Sequence, residues 1–356
     1  SGQWGGGLRE LVQLGGVLVG GWFVFANCID TRQRLRAAVD VFSLVVGAVV
    51  VIALWQYKAA EGGNAFAVAG SFHNRNVLGA FLAVALPFLF ALGLYEARLW
   101  QRFALVLLVA FGAAVTLSGG ALIAIGVACL FVAAAKSRTA LFGTIVAVAA
   151  GLTVLPAFLS LPRHSDVVVS SVSPYLYNNY LDRRAGEPTP GLGEYDAAVR
   201  YKRWFAATFV IQRTLEETLW GAGPGRYNEA VGPELKRIHT RRADTDSAPD
   251  FNINIAEPDS FNMYLVTFAE FGPFAFVSLV WLGMWFLGRN LGGYCRGTDD
   301  TGRGLALGAA AAVLGAAICA VFSNVLVRGV AMPFIFVALS GILWPRLPDT
   351  APNADR

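Results

Sequence analysis

The sequence has few of the residues from which soluble enzymes build active sites. Only 15% of its 356 residues are charged, and it contains three histidines and four cysteines. Soluble globular domains carry about 25% charged residues. No pair of cysteines or histidines has the spacing of metal ligands, so we predict no metal site. The net charge of +4 is spread over several short loops and gives no reason to expect nucleic acid as a partner.

Long apolar runs occupy most of the chain instead. Hydrophobic residues make up 56% of the sequence, and the mean hydropathy is +0.54. A membrane-spanning helix needs about 20 apolar residues, and nine segments approach this length. The sequence therefore predicts an all-α, polytopic protein of the lipid bilayer. The predicted spans are 11–27, 38–56, 77–95, 103–118, 120–135, 140–159, 261–288, 305–322 and 329–345.

Lysines and arginines in the short loops predict the orientation of these spans. If the chain alternates across the membrane, five basic loops fall on one face, which is then cytoplasmic. The opposite face holds the loop 57–76, the Gly119-Gly120 hairpin, the segment 159–260 and the short turn 323–328. The basic residues are Arg32, Arg34, Arg36, Arg98, Arg102, Lys136, Arg138, Arg289, Arg296, Arg303 and Arg346.

These spans divide the chain into four parts. Residues 1–158 form six helices, 159–260 form a large extracytoplasmic loop, 261–345 form three more helices, and 346–356 form a cytoplasmic tail. Within the loop, apolar residues at helical spacing predict an amphipathic helix from Glu194 to Trp220, which a glycine-rich stretch ends. Alternation places Ser1 outside, so we expect about three earlier spans and about twelve in the whole protein.

Polar residues mark the outer start of the third span, at Asn74, Arg75 and Asn76. One interpretation is a helix start, with an asparagine as the N-cap and the arginine reaching toward lipid headgroups. The other is a binding site for a phosphate, which a cation at a helix N-terminus attracts. The sequence leaves both open.

Two arginines of the predicted loop helix, Arg200 and Arg203, share a helix face. Exposed loop arginines are usually solvated. Two guanidinium groups on one face also suit a pyrophosphate, because each planar fork can bind two phosphate oxygens.

Acidic and amide side chains gather at the outer end of the seventh span. Glu270 lies inside the apolar run, where a carboxylate is costly unless it faces protein or a watery cavity. Asp259 or Ser260 is placed to cap the helix, and Asn262 follows closely. Arg328, in the last outer turn, is a candidate partner for Glu270 or for an anionic ligand.

Four of these segments, in this order, resemble motifs of the O-antigen ligase/polymerase superfamily of bacterial membrane glycosyltransferases. The resemblance covers about residues 35–345. Its motifs are Gly-x-Phe-x-Asn-x-Asn at Gly70–Asn76, Thr-Leu-Ser-x-Gly-Ala at Thr116–Ala121, Arg-x3-Trp with Gly-x-Gly-x-Gly at Arg200–Trp204 and Gly221–Gly225, and Asn-x-Tyr-Leu…Ala-Glu-x-Gly at Asn262–Gly272.

The resemblance implies transfer of a glycan from undecaprenyl pyrophosphate to a sugar acceptor, on the outer face of the bacterial cytoplasmic membrane and without a cofactor. Ligases of this family carry a loop arginine, which Arg200 matches, and a His-Asn pair at the start of the following span. Here Phe261 occupies the histidine position, and Asn262 matches the asparagine. Because phenylalanine accepts no proton, the base would be Asp259 or Glu257, or none would be needed. The candidate catalytic residues are Arg200, Asp259 and Glu270. This departure favours a polysaccharide polymerase or an atypical ligase.

Two other functions stay open. A transporter would use polar groups at span ends and Glu270 to line a path, although transporters usually place such features in paired halves near the midplane. An inactive relative would bind the lipid carrier within an envelope polysaccharide assembly.

Overall fold

A computed structural model gives the three-dimensional structure of the protein. It describes residues 15–16, 19–59, 68–72, 74–95, 99–116, 118–147, 204, 207–208, 210–212, 219–227, 229–233, 262–323, 325 and 330–349. The described residues are 85% helical and include no strand. The predicted all-helical class is confirmed for this part of the chain.

The main helices are apolar and follow one another with short connections where these are described. Five of them are long and apolar enough to cross a membrane, and four shorter ones are also apolar. The protein is therefore a multi-pass helical membrane protein, while the count of nine spans stays a prediction. The helices are α1 Val19–Cys28, α2 Arg32–Ala59, α3 Arg75–Tyr95, α4 Leu99–Val115, α5 Gly119–Lys136, α6 Arg138–Ala147, α7 Met263–Arg296, α8 Asp300–Cys319 and α9 Ala331–Leu343.

The helix boundaries depart from the apolar spans where polar residues extend a helix beyond the membrane. Helix α2 begins at Arg32, before the predicted span 38–56, because the basic residues that precede the apolar run are also helical. The predicted Gly119-Gly120 hairpin is wrong in detail. Both glycines are the first residues of α5, which Ser118 precedes as N-cap.

Helices α3 and α8 form the centre of the bundle. Helix α3 is almost entirely buried and α8 is mostly buried, and they pack antiparallel along glycines of α8. A Cβ at Gly308 would lie 2.9 Å from the carbonyl oxygen of Phe88, and one at Gly315 would collide with the carbonyl oxygen of Ala83. Small residues let two helix backbones approach closely. In lipid, this close van der Waals packing stabilises helix contacts in place of the hydrophobic effect.

The basic helix ends meet at one end of the bundle, which we call the basic end. There the indole nitrogen of Trp344 donates to the carboxylate of Asp299, at 2.9 Å from Oδ2. The guanidinium groups of Arg32 and Arg36 lie 5.2 and 5.1 Å from the centre of the Trp344 ring. These contacts bring the starts of α2 and α8 to the end of α9.

A second cluster extends the basic end to three more helices. The hydroxyl of Tyr95 donates to the hydroxyl of Tyr294 at 3.0 Å. The ammonium group of Lys136 lies 3.5 Å from the centre of the Tyr95 ring, and the guanidinium group of Arg303 lies 5.5 Å from that of Tyr294. The ends of α3, α5 and α7 therefore join the same end, as alternation of the spans predicts.

Two native cysteines make the predicted orientation testable. Cys28 and Cys295 are exposed and lie in helix turns that end at the basic end, whereas Cys129 and Cys319 are buried. On intact cells, a membrane-impermeant maleimide is expected to label Ser170→Cys, in the predicted outer loop, and to spare Cys28 and Cys295 until the membrane is permeabilised. Labelling of Cys28 or Cys295 with protection at position 170 would reverse the topology. Ser170 itself lies outside the described residues.

Candidate functional site

The starts of α3, α5 and α7 and the end of α8 lie opposite the basic end, and we call this region the motif end. At the start of α7, Asn262 is the N-cap, and its side-chain oxygen accepts from the backbone N–H of Leu265 at 3.1 Å. The N–H of Met263 donates to the carbonyl oxygen of Ala320 at 2.8 Å, which ties α7 to α8. The cap predicted at Asp259 or Ser260 is therefore Asn262.

Two glycines pack the other helix starts of the motif end together. A Cβ at Gly79 of α3 would lie 2.8 Å from Cβ of Ala121 and 3.1 Å from Cβ of Ser118. A Cβ at Gly120 of α5 would collide with the side chain of Phe322, just after α8. The second motif segment thus lies between the first segment and the residues that follow α8.

The segment before α3 is held by Gln56 of α2. The side-chain nitrogen of Gln56 donates to the carbonyl oxygen of Gly70 at 2.8 Å, and its oxygen accepts from the N–H of Gly70 at 2.8 Å and of Ala69 at 3.1 Å. Gly70 has a φ of 61°, which favours glycine. Sequence reasoning missed Gln56, because a lone glutamine near the end of an apolar helix has no local pattern.

The start of α3 bears out the helix-cap interpretation for one asparagine. The side-chain oxygen of Asn74 accepts from the N–H of Val77 at 2.9 Å, as an N-cap does. Arg75 and Asn76 are the first two residues of α3, and both are half-buried. Binding of a phosphate by these three residues stays a prediction.

Helix α7 is broken near its start. Gly272 has a φ of 79° and a ψ of −177°, and Pro273 follows it. The part after the break, Pro273–Arg296, is roughly 36 Å long at 1.5 Å per residue, which is enough to cross a hydrocarbon core of about 30 Å. Glu270 lies two residues before the break, in the first turns of α7.

The carboxylate of Glu270 is buried, with 4% of the residue exposed. Its Oε1 accepts from the backbone N–H of Tyr227 at 3.1 Å. The prediction that Glu270 faces the protein interior and contacts a loop residue is confirmed. The pairing with Arg328 is a prediction that falls outside the described residues.

The glycine-rich stretch contacts the broken turn of α7 directly. We call residues 219–227 the glycine loop. The N–H of Ala222 donates to the carbonyl oxygen of Ala269, and the N–H of Gly223 to that of Glu270, both at 2.9 Å. The sequence suggested only that these glycines end a helix.

Apolar side chains extend this contact on both sides of the glycine loop. Ala207, Val210, Tyr227 and Val231 are buried in one cluster with Ala269 of α7. Val210 belongs to the apolar face that the sequence predicts for the loop helix. The part of the long loop that the structure describes is therefore attached to the first turns of α7.

Several predicted site residues lie outside the described residues, so the structure does not place them. They are Arg200, Arg203, Glu257, Asp259, Phe261 and Arg328. Those that are described fall into two groups at the motif end, one at the start of α3 and one at the start of α7. Packing of α5 and α8 connects the two groups.

The described part of the motif end combines helix N-termini with two arginines, Arg75 at the start of α3 and Arg226 of the glycine loop, which pairs with Glu229 at 3.1 Å. Helix N-termini carry partial positive charge, and together with an arginine they favour an anionic group. The arrangement suits recognition of a phosphate near a membrane surface. No protein-family model matches the chain, and no curated protein matches it.

Proposed function

We propose that the protein is a membrane glycosyltransferase of the O-antigen ligase/polymerase type. It transfers a glycan from undecaprenyl pyrophosphate to a sugar acceptor at the outer face of the bacterial cytoplasmic membrane. One observation carries this proposal. Segments of all four sequence motifs, which are far apart in the chain, lie at the same end of the bundle, opposite the basic helix ends.

The chemistry of the donor explains why such a site would lie at helix ends. The polyprenyl chain is apolar and stays in the bilayer, while the pyrophosphate and the glycan need a polar, cationic surface. Asn74, Arg75, Asn76 and Asn262 belong to two helix starts at the motif end. In the proposed site these residues bind the pyrophosphate, together with Arg203 and Arg328.

In the proposed reaction, a hydroxyl oxygen of the acceptor attacks the anomeric carbon of the donor sugar. The bond from that carbon to the pyrophosphate oxygen breaks, and undecaprenyl pyrophosphate leaves with the bonding electrons. Arg200 stabilises the negative charge that develops on the leaving group. The hydroxyl proton passes to the carboxylate of Asp259, because Phe261 cannot accept it.

The broken helix α7 is also the feature that most favours a transporter, since transporters place discontinuous helices at their binding sites. Such breaks lie near the membrane midplane. In this protein the break is nine residues after the start of α7. The N–H groups of the glycine loop donate to the carbonyl oxygens next to the break. This position fits a contact between an outer loop and a helix end better than it fits a permeation path.

Purified protein is the direct test. Lipid-linked glycan extracted from the same bacterium, offered with its own acceptor, is expected to give a longer or ligated glycan and free undecaprenyl pyrophosphate. Addition of EDTA should leave the rate unchanged if no metal is required. Binding of the lipid-linked glycan without any product would favour the inactive relative, and uptake of a solute into vesicles would favour the transporter.

A further inference from the structure

We infer that Glu270 is a positioning residue, which holds the glycine loop on the broken turn of α7 and transfers no proton. This role differs from the catalytic role predicted for Glu270 together with Arg200 and Asp259. The structural part of the inference is independent of the reaction. The part that concerns activity rests on the proposed function.

The break in α7 makes the docking surface. Proline has no backbone N–H, so Pro273 cannot donate to the carbonyl oxygen of Ala269 as the next helical turn would require. A buried carbonyl group that loses its helical partner needs another donor. The N–H groups of Ala222 and Gly223 supply it, at 2.9 Å from the oxygens of Ala269 and Glu270.

The side chain of Glu270 adds a third bond to this backbone pairing. Its carboxylate accepts a hydrogen bond from the N–H of Tyr227, the last residue of the glycine loop. Glu270 therefore contacts the glycine loop twice, through its carbonyl oxygen and through its carboxylate. With 4% of the residue exposed, the carboxylate faces the loop backbone rather than a substrate.

Glycines allow the two backbones to come this close. A Cβ at Gly221, whose φ is 75°, would lie 2.5 Å from the carbonyl carbon and oxygen of Glu270. A Cβ at Gly272, whose φ is 79°, would collide with the carbonyl oxygen of Leu219. At both residues φ is positive and a Cβ would have no room, so only glycine fits.

The consequence concerns the long outer loop. Ala207 and Val210, which precede the glycine loop, are buried against the same turn of α7. In the sequence, Arg200 lies four residues before Trp204. Arg200 is the arginine proposed to stabilise the leaving group. Glu270 thus helps to hold the loop that contains Arg200, without touching the reacting atoms.

Two substitutions at Glu270 separate positioning from proton transfer. Glutamine keeps an oxygen that can accept from Tyr227 but cannot exchange a proton, whereas alanine removes the acceptor. In hydrogen–deuterium exchange of the purified full chain, peptides covering 219–227 should stay protected in Glu270→Gln. The same peptides should exchange about tenfold faster or more in Glu270→Ala, because an unsatisfied buried donor is costly. Gly232→Ala, at an open position, is the matched control and should exchange like the native protein.

Glycan transfer provides the second measurement. Glu270→Gln should keep activity within about twofold of the native protein with an unchanged pH profile, and Glu270→Ala should lose about tenfold or more. A Glu270→Gln protein that is protected normally but inactive would overturn the inference, as would normal protection of 219–227 in Glu270→Ala. If Glu270→Ala does not accumulate, Glu270→Gln alone decides between the two roles. If no preparation transfers glycan, the proposed function fails while the exchange result still tests the positioning role.

Discussion

Replacement of Arg200 by alanine is expected to lower glycan transfer by about 30- to 900-fold, which is 2–4 kcal/mol in the activation barrier for one preorganised charged contact. The physical reason is the charge that develops on pyrophosphate as it leaves. Arginine binds two phosphate oxygens with its planar fork, so Arg200→Lys should also be impaired although it keeps the charge. The measurement is polymer or ligated product in a deletion strain, normalised to the amount of protein in the membrane.

Arg203, a proposed pyrophosphate-binding residue, offers a comparison for this prediction. It lies on the same predicted helix face but has no counterpart in the family's motif, so Arg203→Ala should have a milder effect. Full activity of Arg200→Ala at normal expression would contradict the glycosyltransferase assignment. It would make the transporter and the inactive relative the preferred functions.

Replacement of Gly315 by alanine is expected to lower the stability of the helix bundle strongly. The added Cβ would collide with the carbonyl oxygen of Ala83 at the contact between α3 and α8. Overpacking a close contact costs about 1–3 kcal/mol and sometimes more, and here the obstacle is backbone that belongs to the buried centre of the bundle. Gly315→Ala should therefore lower the midpoint of thermal unfolding in detergent and the yield of monodisperse protein.

Gly126→Ala is the control with the same chemical change. Gly126 lies inside α5, and no atom lies within 4 Å of the position that a Cβ would occupy. Alanine favours a helix over glycine by about 1 kcal/mol, so this variant should be neutral or slightly more stable. Gly308→Ala should fall between the two, because its Cβ would lie 2.9 Å from the carbonyl oxygen of Phe88. Equal unfolding midpoints for Gly315→Ala and Gly126→Ala would show that α3 and α8 are less closely packed than described.

Local patterns in the sequence predicted several features correctly. The low charge and the long apolar runs indicated a multi-pass helical membrane protein, since lipid demands helices whose backbone bonds are internal. A helix cap by an asparagine at the start of the third span was one of two interpretations, and the side chain of Asn74 does cap α3. The burial of Glu270 followed from the cost of a carboxylate in an apolar segment.

Other features could not be read from local patterns. The cap of α7 was placed at Asp259 or Ser260, because several polar residues precede that helix and any of them can act as an N-cap. The structure selects Asn262, whose position is fixed by the bond from Met263 to Ala320 of α8. Propensity cannot choose among equivalent caps when a contact with another helix decides where the helix begins.

The sequence by itself determined the class of protein and which helix ends lie together. Hydropathy predicts which segments lie in lipid, and the basic residues predict which helix ends share one face of the membrane. Only the tertiary structure decided which segments touch. Glu270 and Tyr227 are 43 residues apart, and Trp344 and Asp299 are 45 apart. A bond across such a distance in the chain depends on how whole helices pack, so no pattern within one segment predicts it. The docking of the glycine loop on a broken helix is therefore a property of the fold.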